Sequence, residues 1–421
     1  MKDVKDINCM VVDLGLFVEM ARTLGKTMKK VYYCNPSWVT PFPKMNVGLI
    51  GYGFPEIEVV LSPWEHFEDV DLYVFPDVGH GEMQTYLESV GKAVWGCRMA
   101  EELEFSRDTC KKLMKKLGLP VGPYSVVKGL AALREYLKQH DDQWIKINRW
   151  RGQFETFDSP SYKLIEPRLD EIEWQLGALK YLTEFTVEDE LKDKFEVAID
   201  SYNIDGQLPS KMLYGAEIKD LGYCGKFTSY ENVPDILKKF DRAFAPILQQ
   251  YGARTFYDPE TRVGKDHVPY MIDLCIRAPS PPNELYQVFY TNLAEIIWKG
   301  ANGECIDPKP ASVWGTEIII HSPRACDNWQ PIEVPKEYEN FVKLRNAVKI
   351  NGKLYVMPQV GKIPEIGSVV GYGSTMDSAM EMAKEIGDTV KGYFVELPKE
   401  SLEKAKEEIE KAKDYGVWLK E

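Results

Sequence analysis

The sequence predicts an α/β and α+β multidomain chain that opens with a doubly wound, mostly parallel sheet. Three observations carry this expectation. The 421 residues exceed what one ordinary core accommodates, so roughly two to four domains are expected. The first hundred residues alternate short apolar runs with helix-period runs, the grammar of βαβ units. Beyond about residue 311 the pattern restarts, with several strand-like runs and a helix.

Taken in order, CMVVD (9–13) is a short apolar strand followed by the turn Leu14-Gly15. LFVEMARTLGK is helical in period, and KVYYC (30–34) is a second strand. EVVLS, DLYVFP and KAVWG are three more strands, with the helical run GEMQTYLESVG between the last two. In such a sheet the ligand-facing edge lies at the strand C-termini, here near Asp13, Gly15, Asp77 and Gly79. Gly25-Lys26-Thr27 imitates the end of a phosphate-binding P-loop. That motif needs glycine where Met20 stands, and the triplet ends a helix instead of linking strand to helix.

Residues 101–118 are helical in period and stop at Gly118, before Pro120. VGPYSVV, LAALREYLKQH and QWIKIN then read as strand, helix and strand. In the α+β stretch from about 160 to 310, ARTFY and PYMIDLCIR form a hairpin joined by the turn-rich DPETRVGKDHV. GTEIIIHSP, KLYVMP and GSVVGYG follow as strands and TMDSAMEMAKEIGDTVKGY as a helix. The last segment, ESLEKAKEEIEKAKDYG, carries opposite charges four apart and is expected to be a solvated surface helix. The expected boundaries are 1–120, 121–185, 186–310 and 311–421.

Composition removes several classes of function. Hydrophobic content of 44% and charged content of 28% are those of a globular protein. The net charge of −13 argues against general binding to nucleic acid or anionic membrane. No apolar run approaches the roughly 18–20 residues that span a bilayer, and MKDVKDINCM lacks the layout of a signal peptide. The eight cysteines show no CxxC spacing and are expected as reduced thiols of a cytoplasmic protein. The five histidines form no HxxxH pair, so a zinc site is not expected.

Three clusters have the residue types for chemistry. In QWIKINRWRGQFETF, Lys146 lies inside a strand and leads into Arg149, Arg151 and Gly152. A strand lysine either snorkels from an edge or meets an anion; the following cationic, glycine-containing loop suits a polyphosphate. In TEFTVEDELKDKFEVAID, Glu184-Phe185 and Glu196 flank a linker strand that either offers hydrogen bonds to a base and a ribose or is acidic surface. In YMIDLCIRAPSPP, alternation puts Asp273, Cys275 and Arg277 on one face. A carboxylate and guanidinium there either hold a metal-bound phosphate or form a structural pair.

The ordered set resembles the ATP-grasp ligases, most of all the glycinamide ribonucleotide synthetase (phosphoribosylamine–glycine ligase) family, with weaker likeness to biotin carboxylase. The likeness covers nearly the whole chain. It implies a pre-ATP-grasp domain, a small lobe, a large lobe and a small C-terminal α+β domain. The family's E-x-S-K helix is matched by Glu104-Phe105-Ser106-Arg107, so Arg107 stands at its first nucleotide-binding lysine. Lys146 matches the second, and Arg149 to Gly152 stand in for the flap over ATP. Glu184, Phe185 and Thr186 resemble the adenine hinge and Glu196 the ribose glutamate. Asp273-Leu274-Cys275-Ile276-Arg277 resembles E-x-N-x-R, which implies Mg2+ on Asp273 and the moving phosphoryl group on Arg277.

The resemblance implies an ATP-dependent carboxylate–amine ligase acting on small molecules through an acyl phosphate. Two departures bear on it. Cys275 replaces an oxygen ligand by a thiol, which suits magnesium poorly. EIKDLGYCGKFTSY (217–230) replaces the family's substrate segment, leaving Gly225 and Lys226, with Gly15 and Gly79, as the expected substrate contacts. The rival reading is a non-catalytic nucleotide-binding protein of the same fold. A dinucleotide-dependent oxidoreductase would need G-x-G-x-x-G after the first strand, where Asp13-Leu14-Gly15-Leu16-Phe17-Val18 stands.

Overall fold

The computed structural model of the chain describes residues 1–35, 49–148, 156–192, 194–358 and 364–419. The N-terminal sheet contains β1 (Asn8–Val12), β2 (Lys30–Cys34), β3 (Glu58–Val60), β4 (Leu72–Val74) and β5 (Ala93–Trp95). Their order is β3-β2-β1-β4-β5 and every pair is parallel. Parallel neighbours need a crossover, supplied by α1 (Val18–Gly25) and α2 (Gly81–Ser89). Cys9 and Val11 enter one apolar cluster while Met10 and Val12 enter another. Burial on both faces is why the strand reads as an unbroken apolar run. Gly25-Lys26-Thr27 lies at the end of α1, where Lys26 Nζ donates to Asn340 Oδ1 at 2.6 Å.

The helix expected over 101–118 is interrupted. α3 (Glu102–Phe105) ends at Ser106, whose backbone leaves the helical region at φ −113° and ψ 85°, and α4 (Arg107–Lys116) starts afresh. Glu104 and Arg107, on either side of the break, are both buried.

β6 (Tyr124–Lys128), β7 (Gln143–Ile147), β8 (Thr156–Ser159) and β9 (Glu184–Asp189) form an antiparallel sheet in the order β6-β9-β7-β8. α5 (Leu130–Leu137) and α6 (Tyr162–Leu176) cover one face, where Leu133 and Leu169 meet Ile145, Ile147, Phe185 and Val187. The two-residue period of a strand then sends Trp144 and Lys146 to the other face.

The third sheet has eight strands. β10 (Phe195–Ile204), β11 (Lys211–Ile218), β12 (Gly222–Ser229), β13 (Arg254–Val263), β14 (Tyr270–Cys275) and β15 (Trp314–His321) are its first six in the chain. After β16 (Gln330–Glu333) come β17 (Val342–Leu344), β18 (Ala347–Ile350), β19 (Lys353–Val356), β20 (Glu365–Gly373) and β21 (Lys391–Gly392). The large sheet runs β14-β13-β10-β11-β12-β15-β20-β17, and a small sheet runs β18-β19-β16-β21. The region expected as a separate C-terminal domain thus lends three strands, β15, β17 and β20, to the eight-stranded sheet. Helices α7 (Lys238–Tyr251), α8 (Asn283–Phe289), α9 (Leu293–Ala301), α10 (Met376–Thr389) and α11 (Glu400–Asp414) complete the fold.

Two readings are corrected here. β13 continues through Asp258-Pro259-Glu260-Thr261-Arg262, taken from sequence as turn formers. Pro259 is accommodated beside a register shift between Glu260 and Thr261, where ladder bonds are interrupted. α11 is not wholly solvated: Leu402, Ala405, Ile409 and Ala412 are buried, and the last three share an apolar cluster with Met212, Tyr214 and Cys224 of the sheet. Its charges occupy the opposite side, with Lys406 Nζ 2.6 Å from Asp377 Oδ1.

Candidate functional site

A cavity of about 1150 Å³ opens between the small-lobe sheet and the large sheet. Trp144, Lys146, Phe157, Glu188, Asp189 and Leu191 form one wall. Glu196, Glu217, Lys219, Glu260, Arg262 and Asp273 form the other, with Arg277 beside them. Ser280, Pro281, His321 and Glu365 line it as well.

Lys146 reaches this space because Ile145 and Ile147 point into the small-lobe core. It is only 6% exposed. Its Nζ donates to the Ile272 carbonyl and lies 3.5 Å from Glu188 Oε1 and 4.0 Å from Asp273 Oδ2. Arg107 comes to the same carboxylate from the start of α4, with Nη2 3.5 Å from Asp273 Oδ2. One turn later Lys111 Nζ stands 3.0 Å from Glu188 Oε2. Two carboxylates and three cations from different parts of the chain therefore share one partly desolvated network, in which their charges interact more strongly than in water.

Arg277 is aimed by a residue that sequence reading had not assigned a role. Glu104 Oε1 accepts from Arg277 Nε at 3.1 Å, and Glu104 Oε2 accepts from the Ile276 N–H at 3.1 Å. The short α3 ends just after Glu104, so the break at Ser106 places both that carboxylate and Arg107 against β14. Cys275 is buried, and desolvation pushes its thiol well above the ordinary range, so it is no ready thiolate ligand.

Asp273 has a carboxylate neighbour. The register of β13 and β14 sets Glu260 opposite Asp273. Burial first, and then the Asp273 and Glu196 charges, push the Glu260 carboxyl up to about 8. Glu217 is likewise pushed well up by burial and by Glu260 and Glu196. Carboxylates held in this mutual repulsion offer hard oxygen donors that a divalent cation would relieve. Among the described residues no cluster of three or more His, Cys, Asp or Glu is arranged for a metal by itself. Asp273 and Glu260 are the residues of this wall whose oxygens could hold a divalent cation.

The other expected site residues divide. Glu196 lines the cavity and pairs with Arg262, Oε2 to Nε 3.2 Å. Glu184, Phe185 and Thr186 do not line it: Glu184 is exposed, Phe185 is packed in the small-lobe core, and Thr186 Oγ1 donates to Asn148 Oδ1 at 3.3 Å. The cavity residues of this segment are Glu188, Asp189 and Leu191, farther along the same strand and its exit. The continued alternation after Phe185 and Val187 was the sequence signal for Glu188. Arg149, Arg151 and Gly152 lie outside the described residues.

The four expected substrate contacts are placed elsewhere. Segment 217–230 does reach the cavity, but through Glu217, Lys219 and Asp220 at the β11–β12 turn. Gly225 faces Gly215 across the β11–β12 ladder, and a Cβ at either would lie 2.3 Å from Tyr223 Oη. These glycines make room for the Tyr223 ring, whose hydroxyl donates to Asp200. Lys226 Nζ sits over the Trp314 ring at 5.9 Å from its centroid. Gly15 is covered by Asn346, whose N–H donates to the Gly15 carbonyl at 2.7 Å. Gly79, at φ +101°, donates to Glu101 Oε2 at 2.7 Å.

Comparison with solved structures identifies the architecture. Phosphoribosylamine–glycine ligase from Thermotoga maritima superposes with a TM-score of 0.68 at 15% identity, covering 93% of this chain and 99% of that one. Biotin carboxylase from Campylobacter jejuni gives 0.64 at 14%, covering 98% and 97%. L-amino acid ligase from Bacillus licheniformis gives 0.60 at 15%, covering 93% and 99%. No protein-family model and no curated protein sequence matches the chain. The fold is ATP-grasp-like and close to that of glycinamide ribonucleotide synthetase. No helix among the described residues is long and apolar enough to cross a membrane.

Proposed function

We propose that the chain is an ATP-dependent carboxylate–amine ligase that forms a C–N bond through an acyl phosphate and releases ADP and phosphate. The observation that carries this reading is the meeting of Lys146, Asp273 and Arg277 at one cavity between two sheets, with Arg107 behind Asp273. The similar folds of phosphoribosylamine–glycine ligase and L-amino acid ligase support it.

In this reading ATP enters between the sheets. Trp144, Leu191 and Ile272 offer apolar surface to the base, and Glu196 offers its carboxylate to ribose hydroxyls. Lys146 binds phosphate oxygens, with Arg107 behind it. Phosphoryl transfer asks mainly for placement and charge neutralisation. Arg277, fixed by Glu104, faces the phosphoryl group as it passes to the substrate carboxylate. The amine then attacks the acyl carbon and phosphate leaves. Asp273 and Glu260 would hold magnesium, which when bound neutralises phosphate charge. No nucleophile of the chain is required, so the buried Cys275 thiol stays out of the reaction.

The test is ADP release by the full chain with MgATP and a panel of carboxylates and amines. Release that needs both a carboxylate and an amine supports the proposal. A second reading, nucleotide binding without turnover, is favoured by one observation: Cys275, buried and kept as a thiol, stands between Asp273 and Arg277 and offers magnesium no oxygen. Calorimetric MgATP binding with no ADP release across the panel would select it.

A further inference from the structure

The carboxyl edge of the N-terminal sheet carries two places where backbone N–H groups converge on an anion. In an open α/β sheet these positions, at strand ends and helix N-termini, are where phosphate groups bind. Here both are filled by the chain itself. The N–H groups of Gly79, His80 and Gly81, at the start of α2, all donate to Glu101 Oε2, at 2.7, 3.1 and 3.1 Å. Glu101 is 8% exposed. At the start of α1 the Phe17 N–H donates to Asp13 Oδ2 at 2.9 Å, and Tyr33 Oη donates to the same oxygen at 2.6 Å. Asp13 is 2% exposed, and Asn346 closes the adjoining turn at Gly15.

Neither seat lines the described cavity, but the one at the start of α2 is joined through the backbone to the segment that carries Arg277. The Ala278 N–H donates to the Pro76 carbonyl at 2.8 Å, so the segment after Arg277 is tied to the end of β4, three residues before Gly79. Glu104, which fixes Arg277, lies three residues after Glu101. A phosphate brought to the start of α2 would find its three N–H groups already engaged by a carboxylate.

We infer that Glu101 and Asp13 are specificity-determining residues, and that the amine substrate carries no phosphate monoester. This rests on the ligase reading. The enzyme's amine is then an unphosphorylated one, an amino acid or simple amine, in contrast with the phosphoribosylamine in the name of the Thermotoga ligase.

Crystals of the full chain grown with MgADP and soaked with ribose 5-phosphate test the assignment. The expected result is no oxyanion at the Gly79, His80 and Gly81 N–H groups of the wild type, and an oxyanion there in Glu101→Ala. An oxyanion seated there in the wild type overturns it, and so does an empty seat in Glu101→Ala. In turnover assays unphosphorylated amines are expected to exceed their phosphorylated counterparts by at least roughly tenfold in kcat/KM; the reverse order overturns the inference. Nucleotide density in the cavity of the same crystals reports separately on the ligase reading.

Discussion

Lys146 Nζ stands 4.0 Å from Asp273 Oδ2, although β7 belongs to the small-lobe sheet and β14 to the edge of the large one. Each residue has other partners. Arg107 stays near Asp273, Lys111 stays near Glu188, and both survive the loss of Lys146.

Lys146→Ala and Asp273→Asn are therefore each expected to cut turnover by at least about tenfold, roughly 1.4 kcal/mol of transition-state stabilisation, while leaving the chain folded. Steady-state ADP release and circular dichroism of each variant check this. Near-wild-type turnover in both variants would defeat the site assignment.

Glu260 leads to a pH dependence. Its carboxyl is pushed up to about 8 by burial and by Asp273 and Glu196, so near neutrality much of it is protonated before magnesium binds. A cation must displace that proton. Affinity for MgATP is expected to rise with pH up to about 8, with proton uptake by the buffer. Glu260→Gln has no proton to lose there, so its profile should be flat over that range and its affinity lower. Titration calorimetry in two buffers of different ionisation enthalpy measures both; an unchanged slope in the variant would remove Glu260 from the cation site.

Gly225 separates a structural role from a substrate role. A Cβ there would meet Tyr223 Oη at 2.3 Å, and Tyr223 is fully enclosed with its hydroxyl on Asp200. Gly225→Ala is expected to cost about 2 kcal/mol or more by overpacking and to lower the thermal midpoint by a few degrees. The KM values of the folded fraction should stay near wild type. A changed substrate KM at unchanged stability would restore Gly225 as a contact.

These outcomes show what the linear order of residues discloses. The inward placement of Lys146 was legible because a two-residue period can be read directly, and so was the common face of Asp273 and Arg277, both of which line the cavity. The N-terminal parallel sheet was legible from its doubly buried strands. Glu260 was hidden because Pro259 and its polar neighbours imitate a turn, while the register shift that tolerates the proline exists only in the paired sheet. Glu104 and Glu101 act on partners 173 and 22 positions away, and no local period encodes such contacts. The structural demand on Gly225 was hidden for the same reason: the feature that requires glycine is a tyrosine ring supplied by the fold.

Lys343 offers a test away from the cavity. It is 1% exposed on β17, against α1, with Nζ 3.9 Å from Glu19 Oε2 and 3.5 Å from Thr23 Oγ1. Desolvation lowers it to about 8, with Glu19 pulling the other way and Lys26 and Arg22 adding to the fall. Between pH 8 and the ordinary lysine value of 10.5 the unfolded chain holds the proton that the folded chain has shed. Wild-type stability is thus expected to rise with pH across that window, and the burial penalty is full below it. Glu19 keeps Arg22 as its partner when Lys343 is removed. Lys343→Met is therefore expected to stabilise the protein by up to about 2 kcal/mol near neutrality and to abolish the alkaline rise. Thermal denaturation of both proteins from pH 7 to 10 decides it: a variant that melts lower throughout would mean that the Lys343–Glu19 attraction outweighs the cost of burial.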